Sequence, residues 1–155
     1  MPRRPPPDLD LVQRLRGAGL QPTRQRLAVA AVVLRRPCHR TAEEVVKALQ
    51  SHAPSAQDAT DLKASEAPQA APVARATVYA TLAQFARAGL LRELHTGAAV
   101  VYDSNPSLHP HWLDVDSGQV HDLPPGVQLR VDGLEGLPPE LRIEDVQLML
   151  RVRRA

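Results

Sequence analysis

The 155 residues carry 43% apolar, 23% charged and only 3% aromatic side chains, so any core is built mostly from Leu, Val and Ala and fits one ordinary domain or two small ones. No apolar run nears the roughly 18 to 20 residues that cross a bilayer, the basic start MPRRPPPDLD lacks the apolar stretch of a secretion signal, and the single Cys38 excludes an internal disulfide or a Cys-x-x-Cys zinc knuckle, so a reducing, cytoplasmic setting is expected. The net charge of +2 conceals an asymmetry, with 14 Lys and Arg against 8 Asp and Glu in residues 1–95 and 5 against 9 in residues 96–155, which points the front half at an anionic partner.

In chain order, Leu9, Val12 and Leu15 recur at helical spacing and predict a first helix over 8–17, with Asp8 or Asp10 as its cap and Gly19 as its end. Thr23 is placed to cap a second helix that runs toward Pro37 and buries Leu27, Val29, Ala30, Val33 and Leu34. A capping box, Thr41-Ala-Glu-Glu44, opens a third, with Val45, Val46 and Leu49 as its apolar face. Residues 51–73 are rich in Ala, Ser, Pro, Asp and Gln without a hydrophobic period, and read as a flexible insertion. A fourth helix over 76–88 turns Val78, Leu82 and Phe85 inward and Arg75, Tyr79, Ala83 and Arg87 outward.

The period then changes to two. Residues 91–95 and 99–103 flank Thr96-Gly97, a hairpin turn signal. Three helices, an insertion, a helix and a hairpin make a winged helix-turn-helix, the arrangement that lays its last helix in the DNA major groove. Further on, residues 111–115 and 119–123 can pair across Asp116-Ser117-Gly118, residues 127–137 are expected to be helical, and residues 143–152 to close the chain as a strand. The expected fold class is therefore α+β: a winged helix-turn-helix domain over residues 1–102, then a small α/β domain over residues 103–155. A segment this short is not secure alone and is expected to dimerise.

Several separated blocks carry a resemblance. Gly19-Leu-Gln-Pro-Thr-Arg-Gln-Arg26, His39-Arg-Thr-Ala-Glu-Glu44, Ala76-Thr-Val-Tyr-Ala-Thr-Leu82 and Ala88-Gly-Leu-Leu-Arg-Glu93 come in the order and near the intervals of the ferric uptake regulator family, and the likeness continues through Tyr102-Asp103, His109-Pro-His111 and Gly118-Gln-Val-His-Asp122. The chain thus resembles that family nearly throughout, apart from its first residues and the insertion.

The resemblance implies a homodimeric, metal-dependent repressor that binds a palindromic operator in double-stranded DNA and controls manganese or iron homeostasis genes. A peroxide sensor using bound Fe(II), and a haem- or zinc-responsive regulator, stay open as alternatives, and a small metal hydrolase is the rival from another class. The regulatory metal ligands carry over to His39, Asp103, His109, His111 and Asp122. Imidazoles mixed with carboxylates suit Mn(II) or Fe(II), with Zn(II) also admissible, and His109 and His111, two apart on an extended segment, point to one side.

On the DNA side the candidates are Thr77, Tyr79, Gln84 and Arg87 with Arg75 on the fourth helix, and Arg24 and Arg26 for backbone phosphates. The family's structural-zinc cysteines fall on Asp114 and Ser117 here, so no structural zinc at a four-cysteine site is expected, and replacing either residue by Ala is expected to leave metal-stimulated DNA binding nearly unchanged. Pro110 and Val146 stand where an accessory metal site would need an acid and a histidine, and Ala80 where a base follows the tyrosine. Cys38 reads as a structural thiol, and His52, His95 and His121 as surface residues.

Overall fold

The computed structural model describes residues 7–51 and 73–153; most of the expected insertion, residues 52–72, lies outside the described residues, as does His52. The chain divides into two compact units, residues 1–106 and 107–155.

Among its described residues the first unit contains four helices, α1 (Pro7–Gly17), α2 (Arg24–Val33), α3 (Ala42–Ser51) and α4 (Arg75–Arg87), and three strands, β1 (His39–Thr41), β2 (Arg92–His95) and β3 (Val100–Asp103). Helix α1 begins one residue before the expected start, so Asp8 and Asp10 fall inside its first turn rather than capping it. Its buried pair is Leu11 and Leu15, one turn apart, while Val12 is only half-buried. Thr23 caps α2 by accepting the Arg26 amide at 3.4 Å, and the helix stops at Val33, short of Pro37. The capping box at α3 is closed both ways: the Thr41 amide donates to Glu44 Oε2 at 2.7 Å and the Glu44 amide to Thr41 Oγ1 at 3.2 Å.

These helices bury one cluster in which Leu15, Val29, Val33, Val45, Val78, Leu82 and Phe85 are fully enclosed. Val73, assigned to the insertion from the sequence, packs against this cluster half-buried. Strands β2 and β3 form the expected hairpin, its turn held by the Thr96 amide on the Ala99 carbonyl at 3.1 Å and by Gly97 at φ 88°. Strand β1, absent from the sequence reading, pairs antiparallel with β3 and completes a sheet of order β1-β3-β2, with His39 opposite Asp103. Four helices with a three-stranded wing are the α+β arrangement expected.

The second unit holds a sheet of order β5-β4-β6 from β4 (His111–Asp114), β5 (Val120–Asp122) and β6 (Met149–Val152), with β4–β5 antiparallel and β4–β6 parallel. The helix expected over 127–137 is not formed: Leu134–Gly136 makes a single 3-10 turn, entered through Gly133 at φ 80° and left toward Pro138 and Pro139. No α-helix occurs among the described residues of this unit, and the last strand is four residues rather than ten. Leu134, Leu137, Leu141, Ile143, Leu150 and Val152 stay exposed.

The β4–β5 turn gives Asp114 and Ser117 a structural part. Asp114 is not idle: its Oδ1 accepts the amides of Asp116 at 2.9 Å and Ser117 at 3.3 Å, and Ser117 Oγ accepts the Gln119 amide at 3.3 Å. Side-chain oxygens that capture nearby amides favour turns over competing conformations. This turn sets the hairpin register, and a slip of one residue would send Asp122 to the face away from His111. Asp114→Ala is therefore expected to lower stability by about 1 kcal/mol, with Asp114→Asn retaining most of it because the amide oxygen accepts the same bonds. Equilibrium urea unfolding of the three proteins measures the difference; equal midpoints for Ala and Asp would show that the turn holds without this side chain.

Candidate metal centre and nucleic-acid face

Two sets of metal-type donors occur, one in each unit. In the first, the β1–β3 register puts His39 beside Asp103, with Nε2 at 3.6 Å from Oδ1. Asp103 is only 2% exposed, and its Oδ1 also accepts the Asn105 amide at 2.8 Å, which fixes the carboxylate plane. Cys38 precedes this pair, and its amide donates to Ser104 Oγ at 2.9 Å. Burial pushes the Cys38 thiol above its usual range despite nearby Arg40, and the sulfur lies 3.5 Å from the Val33 carbonyl. A protonated thiol bonded to backbone is a structural group rather than a nucleophile.

In the second unit, the β4–β5 register sets His111 opposite Asp122, with Nε2 at 3.5 Å from Oδ1. His109 approaches the same Oδ1 at 2.9 Å through Nε2, and the two imidazoles lie 4.2 Å apart between centroids. His111 is 1% exposed, whereas Asp122 is 55% exposed. The ring of His109 is oriented from behind, Nδ1 lying 2.9 Å from the Ser107 carbonyl. A carbonyl only accepts, so Nδ1 carries the proton and Nε2 is directed at the carboxylate. Metal-binding histidines are held this way, with the far nitrogen donating to a carbonyl and the near one presenting its lone pair. His109 Nε2 and His111 Nε2 both face Asp122 Oδ1. The donor set thus fits a divalent ion of the Mn, Fe or Zn series. His121 points away from this trio, stacked on Trp112 at 4.3 Å.

The nucleic-acid candidates separate into two groups. Arg75, Tyr79 and Arg87 are exposed on α4, Thr77 is half-buried, and Arg24 is exposed at the start of α2. Arg26 and Gln84, by contrast, hold each other. Arg26 donates through Nε at 3.2 Å and Nη2 at 3.0 Å to Gln84 Oε1, and through Nη1 at 3.0 Å to the Gln21 carbonyl. The two residues therefore tie the start of α2 to α4 before any partner arrives. Beside them lies a cleft of about 460 Å³ whose wall includes Thr77 and Ala80. The short side chain of Ala80 leaves that wall open.

Sequence reasoning missed Glu43. Its Oε1 accepts hydrogen bonds from both the Arg75 guanidinium and the Tyr79 hydroxyl, and the Arg75 guanidinium also sits 5.8 Å over the Tyr79 ring. The hydrogen bond to this carboxylate holds the Tyr79 phenol above its usual range. Nothing in the sequence signals contacts that span 32 and 36 positions, beyond Glu43 following a capping threonine.

The family model described as the ferric uptake regulator family matches residues 53–126. The ferric uptake regulator of Pseudomonas aeruginosa, solved with manganese, is 26% identical, with 92% of this chain and 96% of that one covered and a TM-score of 0.55. The ferric uptake regulator of Vibrio cholerae is 25% identical over 92% of this chain and 98% of that one, with a TM-score of 0.58. A zinc-bound manganese uptake regulator shares the fold at 18% identity and TM-score 0.56, covering 97% of this chain and all of that one. No curated protein sequence adds a match. The chain is thus similar to the ferric uptake regulator family over residues 53–126 and shares the fold of its solved members.

Proposed function

We propose that this protein is a metal-dependent repressor that acts in the cytoplasm as a homodimer on palindromic operators, with Mn(II) or Fe(II) as effector and manganese or iron homeostasis genes as targets. The observation that carries the reading is the His109–His111–Asp122 trio, whose nitrogens and carboxylate converge with the far side of His109 held by a backbone carbonyl. Two donors in the first unit and three in the second are each short of the five or six ligands that Mn(II) or Fe(II) takes, and His39, Asp103, His109, His111 and Asp122 together supply five. The resemblance assigns all five to one ion, whose binding would then be linked to binding of DNA.

The bound ion supplies charge and fixed coordination; the rest is done by the chain. Ser107 orients His109, Asn105 holds Asp103, and the Asp114 turn keeps Asp122 opposite His111. Arg24, Arg75, Thr77, Tyr79 and Arg87 face the duplex, with Arg24 on a backbone phosphate and the residues of α4 within reach of base edges.

The test is affinity for a palindromic duplex from the protein's own promoter region, measured with chelator, Mn(II), Fe(II) under anaerobic conditions, and Zn(II). Tightening with Mn(II) or Fe(II) is expected, together with a steep loss of affinity as salt rises, because arginine–phosphate contacts release counterions. Equal affinity with chelator and with each metal would show a regulator that no longer senses metal.

A further inference from the structure

We propose that Glu43 sets the DNA selectivity of the α4 face: in the DNA-free protein its carboxylate stands in for a phosphate on Arg75 and Tyr79, so that only a sequence offering base contacts gains from releasing them. The inference rests on the DNA-binding reading above.

Three observations carry it. A single oxygen, Glu43 Oε1, accepts from both residues, and these are the two most outward polar side chains of the first half of α4. Arg75 opens that helix, whose first turn has no acidic residue and whose Ala74 cap offers no side-chain hydrogen bond. A guanidinium at the positive end of a helix dipole is unfavourable unless an anion sits beside it, and Glu43 is that anion. The carboxylate is in turn secured where it stands, in the first turn of α3, where acidic side chains are favoured.

The consequence for DNA follows from what each kind of duplex offers. Random sequence offers phosphates alone. A phosphate that takes Arg75 from Glu43 exchanges one anion for another, and leaves a carboxylate beside the DNA backbone, so little is gained. An operator offers base edges as well, and Arg75 and Tyr79, linked to each other by the guanidinium over the ring, are released together into those contacts. Non-specific binding depends almost wholly on charge, so an acid on the reading face subtracts mainly from that mode.

The experiment uses the full-length, Mn(II)-loaded protein, a random-sequence duplex, and a palindromic duplex selected from a random pool by the parent. Glu43→Gln keeps the shape and removes the charge. Affinity for random duplex is expected to rise about 3- to 10-fold, with the slope of log affinity against log salt steeper by about 0.9, while operator affinity rises less than about 2-fold. In an Arg75→Gln background the same Glu43→Gln change is expected to give no gain, since the effect passes through that guanidinium. Titrating the Tyr79 phenol without DNA reports the cluster separately, and Glu43→Gln is expected to bring it down toward the ordinary tyrosine range. An unchanged affinity for random duplex, a gain that persists without Arg75, or a loss of operator affinity alone would each overturn the proposal; the last would make Glu43 a positioner of Tyr79. A parent that binds neither duplex, while its phenol titration still shows the Glu43 contact, overturns the DNA-binding reading and the proposal with it.

Discussion

His111→Ala and Asp103→Ala are each expected to remove the stimulation of operator binding by Mn(II) or Fe(II), lowering apparent metal affinity by about 100-fold or more. The figure is anchored to the roughly 10- to 100-fold that replacing a mere orienting partner of a ligand costs. His111 is fully buried in β4 with Nε2 turned to Asp122, so its loss leaves His109 and Asp122 as a pair of a kind that exposed surfaces commonly offer. Asp103 is the buried partner of His39, and without it the first unit contributes a single imidazole. Either change removes one of the few donors that its own unit offers. His95→Ala, exposed at the end of β2, serves as the control and is expected to respond to metal like the parent. Operator affinity across a Mn(II) titration, with circular dichroism to confirm the fold, gives the answer. If both variants keep the parent's metal response, the regulatory site lies elsewhere.

What the sequence disclosed, and what it hid, divides along the range of the interactions. Helix α3 was legible because its start is written within four residues, Thr41 to Glu44, and both halves of that capping box form. The β2–β3 hairpin was legible because two alternating runs meet at a glycine with positive φ. Strand β1 was not: three residues are too few to show a period, and its partner lies some sixty residues on, so only the folded chain brings His39 beside Asp103.

The helix expected over 127–137 failed for the opposite reason. Its apolar residues suit a helix, but Gly133 and the Pro138-Pro139 pair reduce it to one 3-10 turn. At the sites, residue types could be listed from the sequence but their commitments could not. Arg26 and Gln84 were both read as facing DNA, and they are joined to each other across 58 positions. Asp114 stands at a vacated ligand position in the sequence, and in the fold it organises the turn that keeps Asp122 opposite His111.

Replacing Leu150 and Val152 together by Asp is expected to convert the protein from dimer to monomer at micromolar concentration and to weaken operator binding with it. The second unit buries only His111, Leu113 and Val120 among its described residues, too few to secure its sheet alone. Strand β6 is the outer strand of the order β5-β4-β6, so one edge of its backbone lacks a strand partner among the described residues of the unit. Such an edge is a template for pairing with another chain. Leu150 and Val152, two apart and therefore on one side of that strand, are 39% and 37% exposed, and Leu141 and Ile143 are exposed as well. A second copy of the same chain covers such a face by symmetry, each protomer presenting the patch to the other. Two carboxylates placed there would be buried without partners on both sides of the interface, a cost of several kcal/mol and hence more than about 100-fold in association. Sedimentation velocity of parent and variant, with and without Mn(II), measures the assembly directly. Operator affinity follows because two linked half-sites bind far more tightly than two free ones, each monomer having lost the effective concentration that its partner provided. A variant that remains dimeric while keeping its operator affinity would place the dimer interface on another face of residues 107–155.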